Sequence, residues 1–132
     1  MRERIVTLSC ECDGEKTHAR ARAKEYVRGG VREYRFEMQG ASYRIRTGGS
    51  VLFERRGGLG YRLELDAERP TRARVCTEFG ELEVLVRVAS LSVREREGLF
   101  ALRAEYSLDF SGFIQKHSVR FTALSEAKEG GS

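Results

Sequence analysis

At 132 residues the chain has room for one domain, and its 40% hydrophobic and 33% charged content describes a globular protein too apolar to stay unfolded. Three cysteines, an odd number, exclude a disulfide scaffold and favour a reducing, cytoplasmic setting, while no stretch approaches the roughly 20 apolar residues of a membrane-spanning helix. The net charge of +4, from 24 basic and 20 acidic residues, is too small an excess to mark a polyanion-binding protein by itself.

Turn pairs punctuate the chain. Asp13-Gly14, Gly29-Gly30, Gln39-Gly40, Gly48-Gly49, Gly57-Gly58, Arg69-Pro70, Phe79-Gly80, Glu97-Gly98 and Ser111-Gly112 recur about every 8 to 15 residues, the spacing of short strands joined by hairpins. These turns predict about ten strands.

The segments between them alternate with period two, which sends successive side chains to opposite faces of a sheet. Residues 1–12 begin with Arg2, Glu3 and Arg4 and then alternate, so they lack the apolar run of a signal peptide. In this first strand Val6, Leu8, Cys10 and Cys12 share one face and Glu3, Thr7, Ser9 and Glu11 the other. The second points Ala19, Ala21 and Ala23 inward and Arg20, Arg22 and Lys24 outward; in the third, Tyr34, Phe36 and Met38 oppose Glu33, Arg35 and Glu37. Tyr43 and Ile45 then oppose Arg44 and Arg46, and Tyr61, Leu63 and Leu65 oppose Arg62, Glu64 and Asp66. Leu82, Val84, Val86 and Val88 face inward until Leu91 and Val93 take the other parity, a slip that requires a β-bulge near Ala89 and Ser90. Phe100, Leu102, Ala104, Tyr106 and Leu108 continue the apolar face, and Val119, Phe121 and Ala123 end it.

No segment keeps a helical apolar period, so ten strands with one apolar face each must bury that face against one another. An up-and-down antiparallel β-barrel does so and also removes exposed edges. The domain spans residues 1–124, and residues 125–132, without periodicity and ending in Gly130, Gly131 and Ser132, read as a disordered tail. If closure is imperfect, an exposed terminal strand allows a homodimer in place of a monomer.

Outward charges change sign from strand to strand. Arg20, Arg22 and Lys24 lie between Glu3 and Glu11 on one side and Glu33 and Glu37 on the other, which predicts local ion pairs rather than a continuous basic field. With the aromatic residues on the apolar face, neither a nucleic acid nor a membrane is an expected partner.

Candidate sites are few. Cys10, Cys12 and His18 have the residue types of a metal site, but parity turns both thiols inward and His18 outward, so no metal or other cofactor is expected. Cys76 falls on the outward parity. Gly57, Gly58 and Gly60 lack a following helix and read as a hairpin, not a phosphate loop. No catalytic motif accompanies His117, the inward histidine near a barrel mouth. The Ala19, Ala21, Ala23 strand is unusual, because small inward residues either leave a cavity or are covered by large residues from across the barrel. Inward Tyr34, Tyr43, Tyr61 and Tyr106 bring hydroxyls that need partners.

The stretch Val75-Cys76-Thr77-Glu78-Phe79-Gly80-Glu81-Leu82-Glu83-Val84, with Gly98-Leu99, Tyr106-Ser107-Leu108, His117, Val119 and Phe121, resembles the YwiB-like bacterial family of unknown function. The similarity is clearest over residues 71–124. It implies a calycin-like, lipocalin-type barrel in the bacterial cytoplasm and brings no catalytic residues. The expected function is therefore a non-catalytic module for a small apolar or amphipathic ligand, lined by Ala19, Ala21, Ala23, Tyr34, Tyr43, Tyr61, Tyr106 and His117. A protein-interaction role with a filled interior is the alternative.

Overall fold

A computed structural model describes residues 1–125 as ten strands and no helix. They are β1 (Arg2–Cys12), β2 (Glu15–Arg28), β3 (Val31–Met38), β4 (Ala41–Gly48), β5 (Ser50–Arg56), β6 (Gly60–Leu65), β7 (Thr71–Thr77), β8 (Gly80–Arg96), β9 (Leu99–Phe110) and β10 (Phe113–Ser125). Each pairs antiparallel with its chain neighbours, and β1 closes against β10 to complete an up-and-down barrel. At Asp13-Gly14, Gln39-Gly40 and Ser111-Gly112 both turn residues have positive φ, the conformation whose twist matches the flanking strands of a two-residue hairpin.

Parity holds along the chain, and the register shift lies between Val88 and Ser90, where the apolar face changes from even to odd positions. Val84 and Leu102 are 2% and 1% exposed, as a shared interior requires. Leu82 and Val93 keep inward parity yet are exposed. The reason is stagger: β8 pairs with β9 only from Leu85 and with β7 only as far as Val86, so each of its ends has a neighbour on one side only. Ser125 still pairs with Arg4, and its N–H donates to the Gly98 carbonyl at 3.0 Å, so β10 runs one residue past the expected boundary. The expected tail beyond it lies outside the described residues.

The ends of the barrel differ. One carries the start of β1 and the end of β10, with Tyr34, Phe100 and Phe121 packed as a ring cluster 5.2–6.4 Å apart between centroids. Toward the other end burial falls by a class at the next inward position of eight strands. Val6 is followed by Leu8, Ala23 by Ala21, Ile45 by Tyr43 and Phe53 by Arg55; Leu63 by Tyr61, Ala73 by Val75, Ala104 by Tyr106 and Val119 by His117. The first of each pair is buried and the second half-buried, although Met38, Ala41 and Leu108 stay covered. The barrel is thus packed at one end and cup-shaped at the other.

The expected alternation of outward charge fails where Arg62 faces Arg74 and where Arg103 faces Arg120, and it fails over the longest row between β2 and β4. The Gly29-Gly30 turn sets Arg28 opposite Val31, and that register carries Lys24 opposite Arg35, not opposite Glu33 or Glu37. Arg35 in turn faces Arg44, so three cations stand side by side.

Candidate functional site

The open end gathers most of the polar residues that the pattern turns inward. Closing β1 on β10 sets Cys12 opposite His117, and the β10–β9 register sets His117 opposite Tyr106. Cys12 Sγ is 3.6 Å from His117 Nε2, which also lies 3.2 Å from Gln115 Oε1. The Tyr106 and His117 rings stack at 5.2 Å and 7°. His18 is separate: it is exposed, with Nδ1 2.6 Å from Ser9 Oγ. Among the described residues no three His, Cys, Asp or Glu side chains converge as a metal site.

Across the cup Arg55 reaches inward from β5. Its guanidinium donates to the Tyr43 hydroxyl at 3.1 Å, to the Gly57 carbonyl at 2.7 Å and to the Leu59 carbonyl, so it ties the β5–β6 turn and orients Tyr43. Sequence pattern had overlooked Arg55, although its parity with Phe53 signals an inward charge.

Tyr61 and Tyr106 differ from Tyr43. Neither hydroxyl has a hydrogen-bond partner among the described residues, and each ring is half-buried. Burial pushes both phenols up, helped at Tyr61 by Tyr43 and Cys10 and at Tyr106 by Tyr61, Cys10 and Cys12. The same desolvation raises the Cys10 thiol, against a hydrogen bond with Thr17, and raises Cys12, where Asp13 and Glu15 add to it. His117 is lowered by burial, with Asp13 opposing. Apart from the Arg55 guanidinium, the cup is therefore lined at neutral pH by protonated thiols, protonated phenols and an uncharged imidazole. Such groups exchange hydrogen bonds with a neutral polar group better than they attack or deprotonate it. An NMR titration checks this state: the His117 ring should change protonation below its ordinary value of 6.5, and a midpoint above it would contradict the burial argument.

The remaining expected lining residues divide between the two ends. Ala23 is 3% exposed and belongs to the packed core, while Ala19 and Ala21 are half-buried beside it. Tyr34 is fully buried at the packed end, where its hydroxyl donates to Glu25 Oε2 at 2.6 Å. Glu25 also accepts from Arg4 Nε at 3.1 Å and Arg32 Nη1 at 2.9 Å, and Arg32 pairs with Glu95 at the barrel end. The Arg32 guanidinium lies 5.3 Å from the centre of the Phe100 ring, within cation–π reach. Arg4, Glu25 and Arg32 share parity with Val6, Ala23 and Tyr34; a charge on the apolar face near a strand end was their signal.

Comparison with known proteins adds the fold and no more. No family model and no curated protein matches the chain. A solved structure, the ywiB protein from Bacillus subtilis, superposes with a TM-score of 0.76 over 95% of this chain and 94% of that one, at 20% identity. The chain thus has a YwiB-like barrel fold.

Proposed function

We propose that this protein is a non-catalytic small-molecule-binding barrel of the YwiB-like family, calycin-like in architecture and working in the bacterial cytoplasm. Its ligand is amphipathic and sits in the open half of the lumen. The observation that carries the reading is the pair of phenol hydroxyls, Tyr61 and Tyr106, without a hydrogen-bond partner among the described residues, in a cup whose apolar walls are Leu8, Ala19, Ala21, Val75 and Val88. Semi-buried hydroxyls without internal partners hydrogen-bond either water or a bound molecule, and small alanines leave room beside them. Family membership is supported by the shared fold over nearly the whole chain together with the motifs of residues 71–124. Three free thiols, Cys10, Cys12 and Cys76, suit a reducing compartment.

Native mass spectrometry of protein purified from its host tests this. A small molecule should accompany the folded chain and leave on denaturation, and Ala19→Leu, which fills the cup, should abolish its retention. Unaltered retention in that variant would place the ligand elsewhere.

A second reading, a protein-interaction module, is favoured by the rim of the same end. Phe79 at the β7–β8 turn is 92% exposed, and Phe113 and Ile114 at the start of β10 are 62% and 58% exposed. Recovery of a stable protein complex with no small molecule would select it.

A further inference from the structure

β2 is longer than its partner. It pairs with β1 from Glu15 to Glu25 but with β3 only from Ala23 to Arg28, so residues 15–22 leave the β3 side open. A groove of about 940 Å³ fills that gap and extends over the outer face of β2–β5, reaching Ala21, Phe36 and Tyr43 in the barrel wall. Phe36 and Tyr43 stack there at 5.3 Å and 2°.

Six cationic side chains and two carboxylates, Glu37 and Glu54, line the groove. At its centre is the row Lys24, Arg35, Arg44, set side by side by backbone register. Neighbouring strands are about 4.8 Å apart, so the outer two are about 10 Å from each other at the backbone. Like charges directly opposite one another oppose sheet stability, so this row asks for an explanation outside the fold. Internal acids answer it in part: Glu33 takes Arg35 and Arg46, and Glu54 takes Arg44 at 2.8 Å. Arg44 Nε is nevertheless buried without a hydrogen-bond partner, and Lys24, Arg20 and Arg56 make no ion pair or hydrogen bond among the described residues.

We propose that this face binds a small molecule carrying two or more phosphoryl groups. Adjacent phosphoryls present several acceptor oxygens and multiple negative charge, which suits two guanidinium forks flanked by an ammonium. The row is also bounded, with Glu3 opposite Lys24 at one end and Glu54 opposite Arg44 at the other. A continuous nucleic-acid backbone needs a track that runs on, whereas a compact polyphosphate fits between such ends. The cationic row lies on the outer face, the groove shares only Ala21 and Tyr43 with the cup wall, and the site stands independently of the function proposed for the cup.

Calorimetric titration of the full chain with pyrophosphate, inorganic phosphate and a single-stranded oligonucleotide tests the assignment. Pyrophosphate should bind saturably and more tightly than inorganic phosphate, and binding should weaken as salt rises. Lys24→Gln, an exposed change without a partner to lose, should weaken it about tenfold, and Lys24→Gln combined with Arg35→Gln further. Arg103→Gln on β9, an equal loss of charge away from the groove, should leave it intact. Equal weakening in the Arg103 variant would reveal only a net-charge effect and overturn the site. Absence of pyrophosphate binding would overturn it too, leaving the cations as guards of an open strand edge. Tighter binding of the oligonucleotide would overturn the choice of a small ligand.

Discussion

Replacing Glu25 by alanine should lower the unfolding free energy by about 3–5 kcal/mol, measured by urea denaturation, because it strands the Arg4 guanidinium and the Tyr34 phenol in the packed end and leaves Arg32 with Glu95 alone. The side chain of Glu25 is 3% exposed and that of Arg4 9%, so water has little access to replace the lost carboxylate. Breaking one member of such a cluster costs more than the cluster adds to stability, since the partners keep their desolvation penalty. Tyr34→Phe is the milder companion. It removes one hydroxyl donor from Glu25 and leaves both arginines in place, so about 1–2 kcal/mol is expected.

Acid provides a second view of the same cluster. Burial alone would raise the Glu25 carboxyl, but hydrogen bonds from Tyr34, Arg4 and Arg32 outweigh it and hold the group below its ordinary 4.5. A depressed carboxylate stabilises the fold fully above its unfolded value, and that contribution disappears as pH falls below about 4.5 through the folded value. Glu33 behaves alike, burial opposing and Arg35 and Arg46 prevailing, so it adds to the same acid limb. In Glu25→Gln the loss of stability on acidification should therefore be shallower than in the parent, though not absent. An unchanged acid limb would mean that Glu25 is not ionised in the fold.

The barrel was legible in the sequence because period two and paired turns are local properties, written within a few residues of each strand. The bulge near Ala89 was legible for the same reason, as a break in parity. What eluded that reading depends on register and height along the axis. Lys24 meets Arg35 because the Gly29-Gly30 turn beyond both fixes the pairing, and Cys12 meets His117 because closure joins residues 105 positions apart. Parity distinguishes inside from outside but not packed from open, so Tyr34 and Tyr61, both inward, fell into one group when only Tyr61 lines the cup. Arg4, Glu25 and Arg32 were passed over because an isolated charge on an apolar face resembles a flaw in the pattern rather than one part of a cluster.

Unequal stability along the barrel axis follows from the same asymmetry, and Phe121→Ala should expose it. Phe121 is fully buried, with Tyr34, Phe36 and Phe100 rings 5.2–6.4 Å away. Removing it opens a cavity among rigid rings, and a cost of about 3–5 kcal/mol is expected. Tyr106→Phe at the cup removes a hydroxyl that has no hydrogen-bond partner among the described residues, so unfolding should shift by less than about 1 kcal/mol. Hydrogen exchange distinguishes the two ends without mutation: amides near Val6, Phe100 and Phe121 should exchange only by global unfolding, and those near Cys12, Tyr61 and His117 by smaller openings. Phe121→Ala should therefore speed exchange at the packed end and bring it toward the rates of the cup. Equal protection at both ends of the parent protein would contradict an open cup and, with it, the space proposed for a ligand.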